Sequence, residues 1–257
     1  KTHIFSDLES GFKCLNELKD IRKFILLGNH EYNDVYSNHI IGNEYFSENT
    51  YCVNLKTQKK LLNDTSYYKD FILFNNVIHQ YDIINHTLVI MIDTTIYEDS
   101  KKIIIECYDE VFGNKEDTEY LKITNKEDKI NYISNKQLTQ VKDILNNKRR
   151  KLEKIIFIGH HPIFECRSKK GNIITKLDKL YDFFENIKDL ISTKKVLYLC
   201  ADTHFYQKGI VTINDDFKIE QHIVGTGGAL CDKICTEGAS NNNYKVEEQI
   251  QEYGYLT

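Results

Sequence analysis

Ile155-Ile156-Phe157-Ile158-Gly159-His160-His161-Pro162 and Val196-Leu197-Tyr198-Leu199-Cys200-Ala201-Asp202-Thr203-His204 are the stretches on which the fold turns. In each, an unbroken apolar run stops at a small residue and passes at once into His, Asp or both. An unbroken run of this length reads as a strand buried on both faces, the kind that parallel sheets use. Each run also follows a helical pattern. Leu138, Val141, Ile144 and Leu145 form one apolar stripe, opened by a capping-box pair Ser134 and Gln137; Leu177, Leu180, Phe184, Ile187 and Ile191 form the next. A third copy stands near the amino end, where Phe12, Leu15 and Leu18 lie on one helix face ahead of a strand Lys23 to Leu27 that ends in Gly28-Asn29-His30-Glu31. With the short strand His3 to Phe5 before it, that copy is a β-α-β unit.

Outward from these units, strands are expected at Val77 to Ile84 and Leu88 to Ile92, turning at Asn85-His86, and again at Lys208 to Ile213 and Phe217 to Val224. Tyr32 to Asn76 and Tyr97 to Tyr132 lack a sustained period and read as excursions from the sheet, and Glu237 to Tyr244 as a polar loop. Tyr253 to Thr257 reads as the start of a further strand. No linker divides the chain, so the expectation is one domain over residues 1–257, an α/β layered sandwich with mixed sheets flanked by helices.

Composition narrows the function classes. The 34 basic and 38 acidic residues give a net charge of -4, which disfavours a nucleic-acid enzyme. The cluster Lys148, Arg149, Arg150, Lys151 suits the carbonyl end of a helix better than a polyanion. No apolar run is long enough to span a membrane, and nothing at Lys1 reads as a targeting segment. The 7 cysteines are odd in number and scattered, which favours reduced thiols over a disulfide framework and leaves the compartment open. Cys231 and Cys235 form a lone CxxxC that says little for zinc.

Three strand ends that each deliver Asn, His or Asp to one sheet edge converge in one crevice, where open α/β sheets place their sites. Imidazole, carboxylate and amide oxygen together suit divalent or trivalent ions such as Zn, Mn, Mg and Fe. A pair of such ions can clamp a phosphate and supply hydroxide near neutral pH, while an imidazole protonates the leaving oxygen.

Gly28-Asn29-His30-Glu31 resembles the GNH[DE] block of calcineurin-like metallophosphoesterases, Gly159-His160-His161-Pro162 their GH block, and Asp202-Thr203-His204 stands in the place of their GHxH block. Ile92-Asp93-Thr94, Gln137-Leu138, Tyr198-Leu199-Cys200 with Gln207, and Gly225-Thr226-Gly227-Gly228 follow the order of the small, tartrate-resistant purple acid phosphatases. The resemblance implies the metallophosphoesterase fold, two metal ions and hydrolysis of a phosphate mono- or diester. It implies Asn29 and His160 as ligands of the second metal, His204 as a ligand of the first, and His30 as the group that protonates the leaving oxygen. His161 and Arg167 are the expected phosphate contacts.

Asp7, in Ser6-Asp7-Leu8-Glu9-Ser10-Gly11, fits either a worn GDxxDxG block, whose aspartate bridges both metals, or the family's first block, DxH. One helix and one strand separate it from Asn29, which favours the bridging role; the DxH block is then absent from the chain shown, either trimmed from the amino terminus or never present. Ser10 stands where the purple enzymes carry tyrosine, and Asp202 where the family has a histidine ligand. Aspartate can ligate too, so Asp202 joins the expected set. The same departures support the rival reading, a catalytically silent phosphatase-like fold serving as a binding or structural module.

Overall fold

The computed structural model describes residues 17, 23–26, 28, 40–41, 44–45, 71–73, 79–98, 105, 108–109, 117–148, 152–168, 171–214, 217–225, 231–236 and 238–252. The chain forms two compact units, one of Lys1–Val77 with Ser100–Lys129, the other of Ile78–Asp99 with Ile130–Thr257. In the first, β1 (Lys23–Ile25) is followed by β2 (Ile40–Ile41) and β3 (Glu44–Tyr45), which pair antiparallel, and by β4 (Phe71–Leu73), which pairs with β1 in parallel. The strand expected at Lys23 to Leu27 is therefore present as β1.

Tyr97 to Tyr132, expected as an excursion from the sheet, holds helix and no strand among its described residues. It contains α1 (Thr118–Lys122), capped by the Asp117 side chain, which accepts from the Tyr120 amide at 3.1 Å. Buried Tyr120 donates its hydroxyl to Asp109 at 2.5 Å, and Lys129 closes on the same carboxylate at 2.8 Å. α2 (Lys126–Lys148) begins eight residues before Ser134, so Ser134 is no helix cap and instead donates back to the Asn131 carbonyl at 3.0 Å. The polar opening turn, Lys126 to Lys129, concealed the true start.

The second unit holds the sheet. Its hairpin of β5 (His79–Ile84) and β6 (Thr87–Ile92) turns at Asn85, whose φ of 47° is a left-handed conformation that Asn tolerates better than most residues. β7 (Lys154–Ile158) lies parallel to β6. Then β8 (Phe164–Ser168) and β9 (Asn172–Lys176) form a separate hairpin, α3 (Asp178–Ile191) follows, and β10 (Lys195–Cys200) lies parallel to β7. β11 (Tyr206–Ile213), β12 (Phe217–Val224) and β13 (Tyr244–Ile250) complete a seven-stranded sheet in the order β13-β11-β12-β10-β7-β6-β5. β6, β7, β10 and β12 run parallel, with antiparallel strands at both flanks. This is the α/β class with a mixed sheet and flanking helices that the pattern predicts.

Register puts Leu88, Ile155 and Val196 in one row and Ile90, Phe157 and Tyr198 in the next, all buried on the same face. Against that face stands the stripe of α3: Leu180, Phe184, Ile187 and Ile191 are each 0% exposed, while Leu177 is the residue before the helix. Phe184 meets Phe157 at 5.2 Å and Tyr198 at 5.3 Å between ring centroids, edge-on, a geometry that aromatic quadrupoles favour. Burying each such ring contributes about 1.5–3 kcal/mol.

Three further expectations change. β8 and β9 form a hairpin that the sequence did not announce, and β13 starts where a loop was expected to be ending. Cys166 and Cys235 are joined in a disulfide, against the expectation of reduced thiols. Tyr253 to Thr257 and the strand at His3 to Phe5 lie outside the described residues, and none of the described helices is long and apolar enough to cross a membrane.

Candidate functional site

Because β6, β7, β10 and β12 run the same way, their carboxyl ends share one sheet edge. The pairing of β7 with β10 continues past both strands: the Gly159 amide donates to the Leu199 carbonyl at 3.0 Å, and the Ala201 amide to the His160 carbonyl at 2.9 Å. This continuation sets His160 beside Asp202. Glycine at 159 is required there, since a Cβ would lie 2.3 Å from the Tyr198 hydroxyl and 2.6 Å from Thr94 Cγ2. Gly225 plays the same part after β12, where a Cβ would meet the Thr203 carbonyl oxygen at 1.8 Å.

His160 Nε2 stands 3.4 Å from Asp202 Oδ1, and His161 supplies a third donor atom, all within 4.8 Å of one another. Asp202 has a φ of 58°, the left-handed region, which costs about 1–2 kcal/mol in an L-residue and concentrates at functional sites. Burial pushes the Asp202 carboxyl up, but His160 beside it, then His161 and Arg167, outweigh burial and hold it below its ordinary value. It is a carboxylate at neutral pH.

Thr94 fixes the histidine pair. Its hydroxyl oxygen accepts the His160 amide at 3.0 Å and the His161 amide at 2.9 Å, and lies 3.0 Å from His161 Nδ1. A hydroxyl has two lone pairs and one hydrogen. With both lone pairs taken by amides, its hydrogen goes to His161 Nδ1, which leaves the His161 proton on Nε2, facing Glu98 Oε2 at 3.6 Å. Burial first, and then His160, push the His161 imidazolium down to about 4, so the ring is neutral. The Nε2 lone pair of His161 thus becomes available only if the Thr94 hydrogen bond is given up.

The residues fit a cation at the first pair. His160 Nε2 is buried and makes no hydrogen bond, and the same holds for His161 Nε2. Two donors each about 2.1 Å from a tetrahedral ion stand roughly 3.4 Å apart, and His160 and Asp202 are 3.4 Å apart. Nitrogen with carboxylate oxygen suits Zn, Mn or Fe.

Arg167 arrives from β8, which two buried glutamines clamp to the sheet. Gln207 exchanges hydrogen bonds with the Cys166 amide (3.0 Å) and carbonyl (3.1 Å), and Gln221 with the Ile163 amide (2.8 Å) and the Phe164 carbonyl (2.6 Å). The guanidinium is ringed by carboxylates: Glu165 at 2.9 Å, Asp202 Oδ2 at 3.8 Å and Asp232 at 3.8 Å. Glu165 also accepts from the Thr203 hydroxyl and from Thr175 at 3.0 Å. Asp232 accepts the His204 amide at 3.0 Å, with the His204 ring nitrogen 3.9 Å away and its side chain 43% exposed. The Cys166–Cys235 disulfide and the Ser168 amide bond to the Lys233 carbonyl (3.0 Å) tie the Asp232 segment to β8.

The structure therefore brings together His160, His161, Asp202 and Arg167 of the expected set. His204 is turned toward Asp232 and is not part of the three-residue donor group. Asp7, Asn29 and His30 lie outside the described residues. Sequence reasoning passed over Glu98, Glu165 and Asp232, none of which sits in a recognisable block, and quoted Thr94 without its clamping role.

No family model matches this chain, and no curated protein matches it. Among solved structures it is similar to GAP50, the anchor in the inner membrane complex of Plasmodium, with 17% identity and a TM-score of 0.45 over 79% of this chain and 52% of that one. It is also similar to a purple acid phosphatase from yellow lupin (Lupinus luteus) seeds, with 13% identity and a TM-score of 0.42 over 90% of this chain and 34% of that one. The chain spans about half the length of the first and a third of the second. Likeness at this level speaks neither to activity nor to ligand.

Proposed function

We propose that the chain is a metal-dependent phosphoesterase whose described cation site is the His160–Asp202 pair. The observation that carries this reading is the buried, hydrogen-bond-free His160 Nε2 facing an ionised carboxylate at 3.4 Å, at the carboxyl edge of parallel strands. The phosphate-ester class rests on the sequence blocks around these residues. On the family pattern Asp7, Asn29 and His204 would complete a two-ion centre, and His30 would protonate the leaving oxygen. A cation held there would supply Lewis acidity toward a phosphoryl oxygen and toward water. The chain's own part is to keep Asp202 ionised, to hold His160 through its Thr94-bound amide, and to place the Arg167 guanidinium where a phosphate oxygen can displace its 3.8 Å contacts with Asp202 and Asp232.

One observation favours the silent-scaffold reading: Arg167 is itself a cation beside Asp202, so its carboxylate is partly neutralised without a metal. Metal titration of phosphatase activity, on the parent and on Asp202→His, separates the two. The phosphoesterase reading expects activity that needs added Mn or Mg, is abolished by chelation, and shifts its preference toward Zn or Fe in Asp202→His as a hard oxygen gives way to imidazole. Both forms inactive and metal-free would leave the scaffold reading standing.

A further inference from the structure

The second unit carries a cavity of about 470 Å³ at the opposite end of the sheet, lined by Lys194, Lys195, Lys218 and Lys245 with Asn241 and Asn242. Register explains the convergence. On one face, Glu220, Ile210 and Lys245 lie in a row across β12, β11 and β13, and Lys218 pairs with Thr212 in the next row, beside Lys195 at the start of β10. Lys195 is at the amino end of β10 and Asp202 lies beyond its carboxyl end. The length of the strand, about 17 Å, therefore separates the cavity from the His160–Asp202 pair.

The polar groups here divide by commitment. Two carboxylates reach the lining, and both are engaged: Glu220 accepts from His222 at 2.8 Å and lies 4.0 Å from Lys208, and Glu247 lies 3.6 Å from Lys208. Lys194 donates to the Leu152 carbonyl at 2.6 Å. His222 first, and then Lys208 and Lys195, hold the Glu220 carboxyl below its ordinary value, so Lys195 is partly engaged, while Lys218 and Lys245 form no ion pair with a carboxylate among the described residues. The Asn241 amide oxygen accepts both the Asn243 amide (2.9 Å) and the Tyr244 amide (2.8 Å), which fixes its NH₂ end as the free one. What remains is a set of donors, three of them cationic and Lys195 only partly engaged, around a volume suited to a small ligand.

We propose that this cavity binds a small, multiply charged phosphate compound of the polyphosphate class. Clustered ammonium groups with an amide donor suit the dispersed charge of linked phosphates better than a single carboxylate. A nucleic acid or an anionic membrane would be a continuous polyanion. Either would have to extend beyond the cavity over a chain of net charge -4, whereas a compact ligand stays within it, where the carboxylates of Glu220 and Glu247 already face Lys208.

Inorganic triphosphate is the probe, titrated calorimetrically at low salt into protein treated with a chelator, so that no metal ion recruits it to the other site. The expected result is one binding site whose affinity falls about tenfold in each of Lys195→Ala, Lys218→Ala and Lys245→Ala, and is unchanged in His160→Ala. Circular dichroism and melting temperature verify that the variants fold, and Lys218→Gln provides a second variant that removes the charge but keeps a polar side chain. Absence of binding, binding that survives the lysine substitutions, or binding lost in His160→Ala would each overturn the proposal. So would vesicles of phosphatidylcholine and phosphatidylserine that capture the protein through the same lysines more tightly than triphosphate does.

Discussion

At the scale of single residues, the site depends on contacts too close for substitution. Gly159→Ala places a methyl group against Tyr198 and Thr94 at 2.3 and 2.6 Å, so it should destabilise the protein by about 1–3 kcal/mol, read as a lower urea midpoint at unchanged slope. Thr94→Val keeps the shape and removes the oxygen that two amides use, so it should cost about 1–3 kcal/mol for each buried amide left unpaired. It should also weaken metal retention, because His160 loses its anchor. His160 and Asp202 were legible in the sequence because each ends an apolar strand run. Thr94 acts through tertiary contacts 66 and 67 positions away, and Asp232 through one 28 away, and no local pattern records such distances.

At the scale of elements, the legible parts were those with apolar runs (β6, β7 and β10), alternating strand patterns meeting at a turn (β11 and β12) or a full helical stripe (α3). β13 was missed because of Tyr244 to Ile250 only Tyr244 and Val246 are buried, and Glu247 and Glu248 interrupt the alternation that marks a strand. The β8–β9 hairpin was missed because β9 is almost wholly exposed. Its hold on the unit comes from Gln207, Gln221 and the disulfide, none of which hydrophobic periodicity registers. Cys166 and Cys235 are 69 positions apart, so their bond constrains a long loop in the unfolded chain. Reduction, or Cys235→Ser, should lower stability by about 2–5 kcal/mol. Because the same bond ties the Asp232 segment beside Arg167, reduction should also loosen Arg167 from Asp232. A thermal melt with and without reductant checks the first expectation; an unchanged midpoint would contradict it.

At the scale of the molecule, the parallel core of the sheet gathers the His160–Asp202 pair at one end and the lysines of the cavity at the other, which is why the two should respond to different ligands. A ligand that binds only the folded state raises stability by mass action, by about 2.7 kcal/mol at a hundredfold excess over its dissociation constant. For a chain of 257 residues this amounts to roughly 5–10 °C in melting temperature. Manganese should produce such a rise in the parent and not in Asp202→Ala. The most direct measurement is anomalous X-ray diffraction from crystals soaked in Mn²⁺ and recorded near the manganese edge. The account predicts an anomalous peak within bonding distance of both His160 Nε2 and an Asp202 carboxylate oxygen. A map with no peak there, and with the Arg167 guanidinium still paired to Asp202, would contradict it.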